Sequence, residues 1–335
     1  MSFIEVKHIN KTFKVLEKQS GPLGTLKTFF NRKYKNIKAI NDISFSIKRG
    51  EVIGYIGPNG AGKSTTIKVL SGILIPDSGE VIIDKKIPWK NRKEYVREIG
   101  VVFGQRSQLY WDIPAIDTFN LLKDIYKIEE DKYQNKLNEL IELLNLEDII
   151  NIPVRQLSLG SRMRCEIAAS LLHSPKILFL DEPTIGLDAV SKKIVRDFIK
   201  KLNKKDKVTI ILTTHDMADI EALAKRIILI GKGQILYDGS LSKLKTNYDY
   251  LRKISIKTKD KVTLNKDYII EQNQTKDMIE FIIDIRKIEI SDFIKLVSSK
   301  VSIIDIDIDR GNIDDVIVKL YEEYNIWNHT YHTLN

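Results

Sequence analysis

Residues 57–64 read Gly57-Pro58-Asn59-Gly60-Ala61-Gly62-Lys63-Ser64, matching G-x-x-x-x-G-K-[ST] at every position. The match lies between an apolar run, VIGYI, and a stretch of helical character, TTIKVLSGIL. Glycines at these positions let consecutive backbone N–H groups curl around phosphate oxygens, and the helix that follows points its positive end at the same charge. A strand, a glycine-rich turn and a helix in that order confine the chain to α/β architectures built to hold a phosphate. Lys63 is then expected to reach the β and γ phosphates, and Ser64 to ligate Mg²⁺.

The rest of the chain agrees with that class. Residues 3–15 and 37–49 alternate apolar and polar side chains, as half-buried strands do. Between them a segment opens with Gly21, Pro22 and Gly24 and then sets Leu23, Leu26, Phe29 and Phe30 beside Lys27, Arg32, Lys33 and Lys35. It reads as a basic amphipathic insertion at about residues 16–36. Further on, Leu137, Leu140, Ile141 and Leu144 mark one helical face. ILFLDE, VTIILTTHD and RIILIGKG are apolar runs of buried-strand length separated by helix-like segments, the pattern of a parallel sheet. After Gly239 the pattern resets: KISIKTK, EFIIDI and SIIDIDID read as strands, ISDFIKLVSS and NIDDVIVKLYEEY as helices, giving a separate small α+β domain over 240–335.

Three further positions bear on phosphate chemistry. Asp181 and Glu182 end the ILFLDE strand, where two carboxylates are costly unless something cationic or hydrogen-bonding meets them. Asp181 suits a Mg²⁺ shell, and Glu182 suits a base that orients attacking water; a strand-end helix cap is the plain alternative for either. His215 follows VTIILTT and closes a strand of the same sheet, at the edge where open α/β sheets place ligands, so a γ-phosphate contact is expected. Gln105, in VVFGQRSQ, is by itself a glutamine at a strand end.

Composition closes off other classes. At 43% hydrophobic and 30% charged residues over 335, the chain is neither fibrous nor disordered. Its longest apolar runs, such as Ile227–Ile230, fall far short of the roughly 18 residues that cross a bilayer, and the start MSFIEVKHIN carries no secretory pattern. A single cysteine, Cys165, excludes an intrachain disulfide and fits a reducing compartment. The net charge of +9 is uneven: residues 1–50 hold eleven Lys and Arg against three acids, while 240–335 hold fifteen against sixteen. Such an excess fits an anionic surface, lipid or nucleic acid, or simply a Lys-rich composition.

Taken together, GPNGAGKST, Gln105, the segment Leu157-Ser158-Leu159-Gly160-Ser161, FLDEPTIGLD and His215 stand in the order and spacing of ATP-binding cassette (ABC) transporter ATPases, which residues 1–240 resemble. QLSLGSRMRCEIAASLLHSPKILFLDEPTIGLD, the early insertion and the extra C-terminal domain resemble the drug- and ion-export branch, in particular the viologen-exporter group. The resemblance implies a P-loop cassette over 1–239, with an N-terminal antiparallel β subdomain, a parallel core sheet and a helical signature subdomain at about 106–172. It implies that Gly57 through Thr65 bind ATP, that Gln105 joins the Mg²⁺ and lytic-water network, that Glu182 is the catalytic carboxylate and that His215 is the γ-phosphate switch. Phe13 matches the position that stacks on adenine. Ser158 and Gly160 would close over the ATP of an opposite copy, with Gly186, Leu187 and Asp188 as the turn across that interface. Leu159 and Ser161 replace the usual glycine and glutamine of the signature, which bears on contacts of the missing glutamine side chain.

One phosphate loop and one signature per chain cannot build both halves of such a site, so a head-to-tail pair of copies is expected. Integral membrane permease subunits are the other expected partner, with the chain on the cytoplasmic face of the membrane and no nucleic acid bound. An ABC ATPase acting on ribosomes or DNA, and a non-hydrolysing nucleotide-binding module, are the competing readings. Cys165 is expected to pack rather than react. Leu109-Tyr110-Trp111 could receive a helix of the membrane subunit or be ordinary core. Asp305, Asp307 and Asp309 alternate as the solvated side of a strand does.

Overall fold

The computed structural model describes residues 2–16, 34–104, 106–247, 250–310 and 313–324. They fall into two compact units, one ending at Asp238 and the other beginning at Gly239.

In the first unit the alternating N-terminal segments become β1 (Ile4–Leu16) and β2 (Tyr34–Ile47), which pair antiparallel, with β4 (Ser78–Ile83) on the other side of β1. Their inward residues, Ile4, Val6 and Ile9 against Ile40, Ile43 and Phe45, are buried. The pairing runs outward to Leu16 opposite Tyr34, three residues further than the alternation at 37–49 suggests. Most of the basic insertion lies outside the described residues.

The second sheet carries β5 (Ile99–Phe103), β6 (Ile177–Asp181), β7 (Thr209–Thr213), β3 (Val52–Ile56), β8 (Arg226–Gly231) and β9 (Gln234–Ser240), side by side in that order. Five are parallel. β9 returns beside β8 after Lys232-Gly233, both at positive φ (48° and 78°), the two-residue turn that reverses a strand. Every residue of β6 and β7 is buried, which is why each carries a continuous apolar run, Ile177–Leu180 and Ile210–Leu212, rather than an alternation.

Seven helices accompany these sheets among the described residues: α1 (Lys63–Leu70), α2 (Arg92–Tyr95), α3 (Ala115–Tyr126), α4 (Glu130–Leu144), α5 (Leu159–Leu171), α6 (Ala189–Asp206) and α7 (Met217–Leu223). α4 buries Tyr133, Leu137, Leu140 and Leu144 on one face and stops at Asn145, whose φ of 51° is the left-handed cap that ends many helices. Because β3, β5, β6 and β7 run the same way, the segments leaving their C-terminal ends share one edge of the sheet. Those segments begin at Gly57, Gly104, Glu182 and Thr214, so topology alone gathers the phosphate loop, the carboxylates and His215.

The second unit holds α8 (Leu241–Asn247), β10 (Leu251–Lys257), β11 (Ile269–Gln274), β12 (Met278–Asp284), α9 (Ile290–Ser298), β13 (Asp305–Arg310) and α10 (Ile313–Glu323). Its sheet is antiparallel in the order β11-β12-β10-β13. Ile254, Ile256, Ile279, Phe281 and Ile283 form one face, on which Phe293 and Val297 of α9 pack. Phe281 and Phe293 meet edge-on with centroids 5.1 Å apart, each ring contributing roughly 1.5–3 kcal/mol by leaving water. Asp305, Asp307 and Asp309 are exposed on β13. No helix among the described residues is long and apolar enough to cross a membrane.

Candidate functional site: a phosphate cleft at the sheet edge

The loop after β3 takes its shape from its glycines. Gly62 precedes α1 at φ 106°, and a Cβ there would stand 2.3 Å from the carbonyl oxygen of Ala39. Only glycine fits both conditions. The loop walls a cleft of about 620 Å³, together with Ser64, Thr65, Asp181, Glu182 and His215. Phe13, with Ile37 and Ala39, forms its apolar margin. The cleft also carries Lys68 and Arg106, two cations that sequence reasoning missed. Of the loop residues, Pro58, Asn59, Gly60 and Gly62 line the cleft, while Ala61 is buried beneath it. Gly57 is pressed against the carbonyl of Ile230, 2.6 Å from where its Cβ would be.

Lys63 is only 5% exposed and turns its ammonium back into the loop, donating to the carbonyls of Gly57 (2.6 Å) and Pro58 (3.2 Å). Burial lowers its pKa, opposed by the charges of Glu182 and Asp181. A buried ammonium held by two neutral carbonyls is poised to exchange them for the negatively charged oxygens of a phosphate.

Asp181 ends β6, where its Oδ1 accepts from Thr213 Oγ1 at 2.6 Å and from Ser64 Oγ at 3.3 Å. Ser64 and Asp181 thus bring two hard oxygen donors together at the mouth of the phosphate loop, the donor chemistry Mg²⁺ takes when substrate phosphates and water complete its shell. Thr213 is a further residue sequence reasoning missed. It stands opposite Asp181 in the β6–β7 register, and equal strand ends were the signal that could have found it.

Glu182, the next residue, has φ 57°, an uncommon left-handed conformation for a glutamate. Its N–H is held by the backbone carbonyl and hydroxyl of Thr213 at 3.0 and 3.1 Å, so β7 fixes the turn that aims the carboxylate. Glu182 Oε1 lies 2.8 Å from His215 Nε2, and Lys63 Nζ lies 3.3 Å from the same nitrogen. Against a carboxylate at that distance Nε2 carries the proton and donates to Glu182; it then cannot accept from Lys63. The loop bearing His215 is held through Asp219, fully buried, which accepts from Thr184 Oγ1, Thr214 Oγ1 and Arg196. One carboxylate therefore ties together the segments that follow Glu182 and precede His215.

Ser158 and Gly160 do not line this cleft. Ser158 caps α5 by accepting from Ser161 N at 3.1 Å and is exposed, as is Leu159. Gly160 is buried against α6, and a Cβ would fall 2.2 Å from Ser191 Oγ. Its lack of a side chain thus already serves the α5–α6 contact within the chain, a reason for glycine beyond approach to a phosphate. Gly186 (φ 70°) makes the turn before Leu187, which is buried, and Asp188, which caps α6 by accepting from Val190 N and Ser191 N. Gln105 lies outside the described residues. Cys165 is fully buried, and burial pushes its thiol up to about 12. Leu109 is buried while Tyr110 and Trp111 are 56% and 52% exposed, so that segment divides between core and surface.

The family model described as "ABC transporter" matches residues 40–185. The ABC transporter ATP-binding protein NatA of Bacillus subtilis is 34% identical over 215 residues, covering 64% of this chain and 87% of that protein. A probable sulfate/thiosulfate import ATP-binding protein, CysA, of Chlorella vulgaris is 34% identical over 214 residues, 64% of this chain and 90% of that one. Among solved structures, the dimeric ATP-binding cassette MJ0796 in its post-hydrolysis state with ADP and Pi superposes with a TM-score of 0.59 at 27% identity, over 71% of this chain and 98% of that one. Alignments that run nearly the full length of a relative, through a cleft whose lysine, hydroxyl and carboxylates already fit Mg·ATP, fix the lineage: this chain belongs to the ATP-binding proteins of ABC transporters and is an ATPase.

Proposed function

We propose that the chain is the energising subunit of an ABC export system, working as a head-to-tail pair of copies on the cytoplasmic side of a membrane permease. The observation that carries the pairing is a separation: the phosphate loop, Asp181, Glu182 and His215 share one cleft, from which Ser158 and Gly160 are absent. A cleft open to water on one side needs donors from elsewhere to meet the spreading charge of a phosphoryl-transfer transition state. The N-terminus of α5 in a second copy supplies them in this reading: the Ser158 hydroxyl and the backbone N–H of Gly160.

Within the cleft, the Gly57–Thr65 backbone cradles the phosphates, Lys63 swaps its carbonyl partners for phosphate oxygens and Phe13 stacks on adenine. Ser64 and Asp181, with Gln105, hold Mg²⁺, which neutralises phosphate charge when bound. Glu182 accepts a hydrogen bond from the attacking water and orients it in line. His215, freed from Glu182, turns its Nε2–H to the γ-phosphate. The 2.8 Å contact between His215 and Glu182 is thus a resting contact that nucleotide replaces.

Export, rather than the import printed in the name of the Chlorella relative, rests on the resemblance of residues 156–188 and of the C-terminal domain to the export branch. The domain over 240–335 steadies the pair of copies in this reading. The exposed Tyr110 and Trp111 form the apolar surface offered to the permease. Sizing the chain in ATP tests the pairing: Glu182→Gln should run as a dimer, and Glu182→Gln with Ser158→Glu as a monomer. A double variant that remains dimeric would remove the α5 N-terminus from the interface.

A further inference from the structure

The turn after β5 is pinned at two places. On one side of it, Gly104 N donates to Asp181 O at 2.8 Å, and a Cβ at Gly104 would stand 3.0 Å from the carbonyl oxygens of both Asp181 and Glu182. The end of β5 is thereby pressed against the residues that carry the carboxylate chemistry. On the other side, immediately after the cleft-lining Arg106, residues 107–109 are gathered by a carboxylate that lies 59 residues from Ser107 along the chain. Glu166 of α5 is 4% exposed, and it accepts from the Ser107 hydroxyl and, at 3.1 Å, from Gln108 N. Gln108 Nε2 donates in turn to the Glu166 carbonyl at 2.9 Å, and Leu109 N to Ser107 Oγ at 3.1 Å. No lysine or arginine bonds to this carboxylate among the described residues, so its buried oxygens are satisfied by the turn. Leaving such a group without them would cost the full desolvation of a buried polar group.

Glu166 is therefore bound to three things at once. It is on the helix whose N-cap is Ser158, about two turns away. It holds the turn that begins at the ATP cleft. That turn leads directly into Tyr110 and Trp111, whose side chains are exposed.

We propose that Glu166 is the positioning residue that joins the cleft turn, the signature helix and the Tyr110–Trp111 surface into one moving body. Ser158 and Gly160 then reach the nucleotide of a second copy only with residues 106–109 in place, and a partner seated on Tyr110 and Trp111 acts on the cleft through the same carboxylate. The inference rests on the two-copy ATPase reading above. It says nothing of nucleotide affinity at the phosphate loop, which belongs to another subdomain, and so it predicts a split between turnover and binding.

The test measures Mg·ATP hydrolysis and the KM for ATP of the full-length chain and four variants. Ser107→Ala, which loses one charge-assisted bond, should lower kcat about tenfold, and Glu166→Ala, which loses the bonds from both Ser107 Oγ and Gln108 N, at least as much, each with KM within about twofold of wild type. Glu166→Gln should restore turnover to within about twofold, because its carbonyl oxygen accepts from Gln108 N and its amide donates to Ser107 Oγ. Ser107→Ala combined with Glu166→Ala should be no worse than the poorer single variant, since both break one clamp. Ser107→Ala keeps the test alive should Glu166→Ala not fold. Undiminished kcat in Ser107→Ala, losses that multiply in the double variant, or a KM rising in step with the fall in kcat would overturn the proposal while leaving the ATPase reading intact. A wild-type chain that hydrolyses no ATP would overturn both.

Discussion

Thr213 offers a sharp test of how Asp181, the proposed Mg²⁺ ligand, is held. It is fully buried, and its hydroxyl donates to Asp181 Oδ1 at 2.6 Å, the shortest bond that carboxylate makes in the cleft; the other, from Ser64, is 3.3 Å. Thr213→Val keeps the shape and removes the donor. Glu182 N retains the Thr213 carbonyl at 3.0 Å, so the turn bearing Glu182 survives the change. What is lost is the hydrogen bond to a charged, buried oxygen, worth about 1.5–3 kcal/mol, together with the second acceptor of Glu182 N at 3.1 Å, whose loss the remaining carbonyl bond offsets. Converted at 1.4 kcal/mol per decade, that is a factor of roughly 10–100 in whatever depends on the orientation of Asp181. The same range describes loss of a hydrogen-bond partner behind a metal ligand. Titrating Mg²⁺ against ATPase rate at saturating ATP is the assay. The half-saturating Mg²⁺ concentration should rise by about 10–100-fold, with most of the turnover recovered at high Mg²⁺. An unchanged Mg²⁺ requirement would refute the view that Asp181 is a metal ligand oriented by β7.

Lys63→Ala should weaken nucleotide binding itself, measured by direct titration with fluorescent ATP, because it removes the buried ammonium of the cradle; normal affinity would contradict the phosphate-loop assignment. A chain ending at Gly239 should fold and bind ATP, since it keeps all of the sheet but Ser240, the last residue of β9, and the C-terminal unit has its own core; insoluble product would mean the two share one. The Cys165 thiol, pushed up to about 12 by burial, stays protonated at pH 8, so maleimide should label it only on unfolding. Rapid labelling of the folded chain would place that helix face in solvent.

The phosphate loop, Asp181, Glu182 and His215 were legible as candidates because each is confined by local geometry. Glycines at 57, 60 and 62, carboxylates ending a run of buried apolar residues and a histidine closing another run are patterns written within a few positions of one another. What stayed hidden depends on distance along the chain. Glu166 lies 59 residues from Ser107, and nothing in EIAASL says that its glutamate meets a turn rather than water. Thr213 looks like any threonine until the register sets it opposite Asp181. Strand β11, IIEQNQ, escaped notice because four of its six residues, Glu271–Gln274, are polar in succession and leave no alternation to read, and none of its residues is fully buried. Gly160 was readable as a glycine with a purpose, but the neighbour that demands it, Ser191, is visible only in the packed chain.

The central claim is that this chain drives a membrane partner with ATP bound between two copies. The most direct measurement is affinity capture of Glu182→Gln, a variant expected to bind ATP without turning it over, from detergent-solubilised membranes of its own cell in Mg·ATP. The account predicts a polytopic membrane protein recovered in fixed stoichiometry, with two copies of the ATPase per complex and a yield that falls when Trp111 is changed to Glu. Recovery of ribosomes or nucleic acid with no membrane partner would contradict it and make the basic residues at 1–50 the next to change.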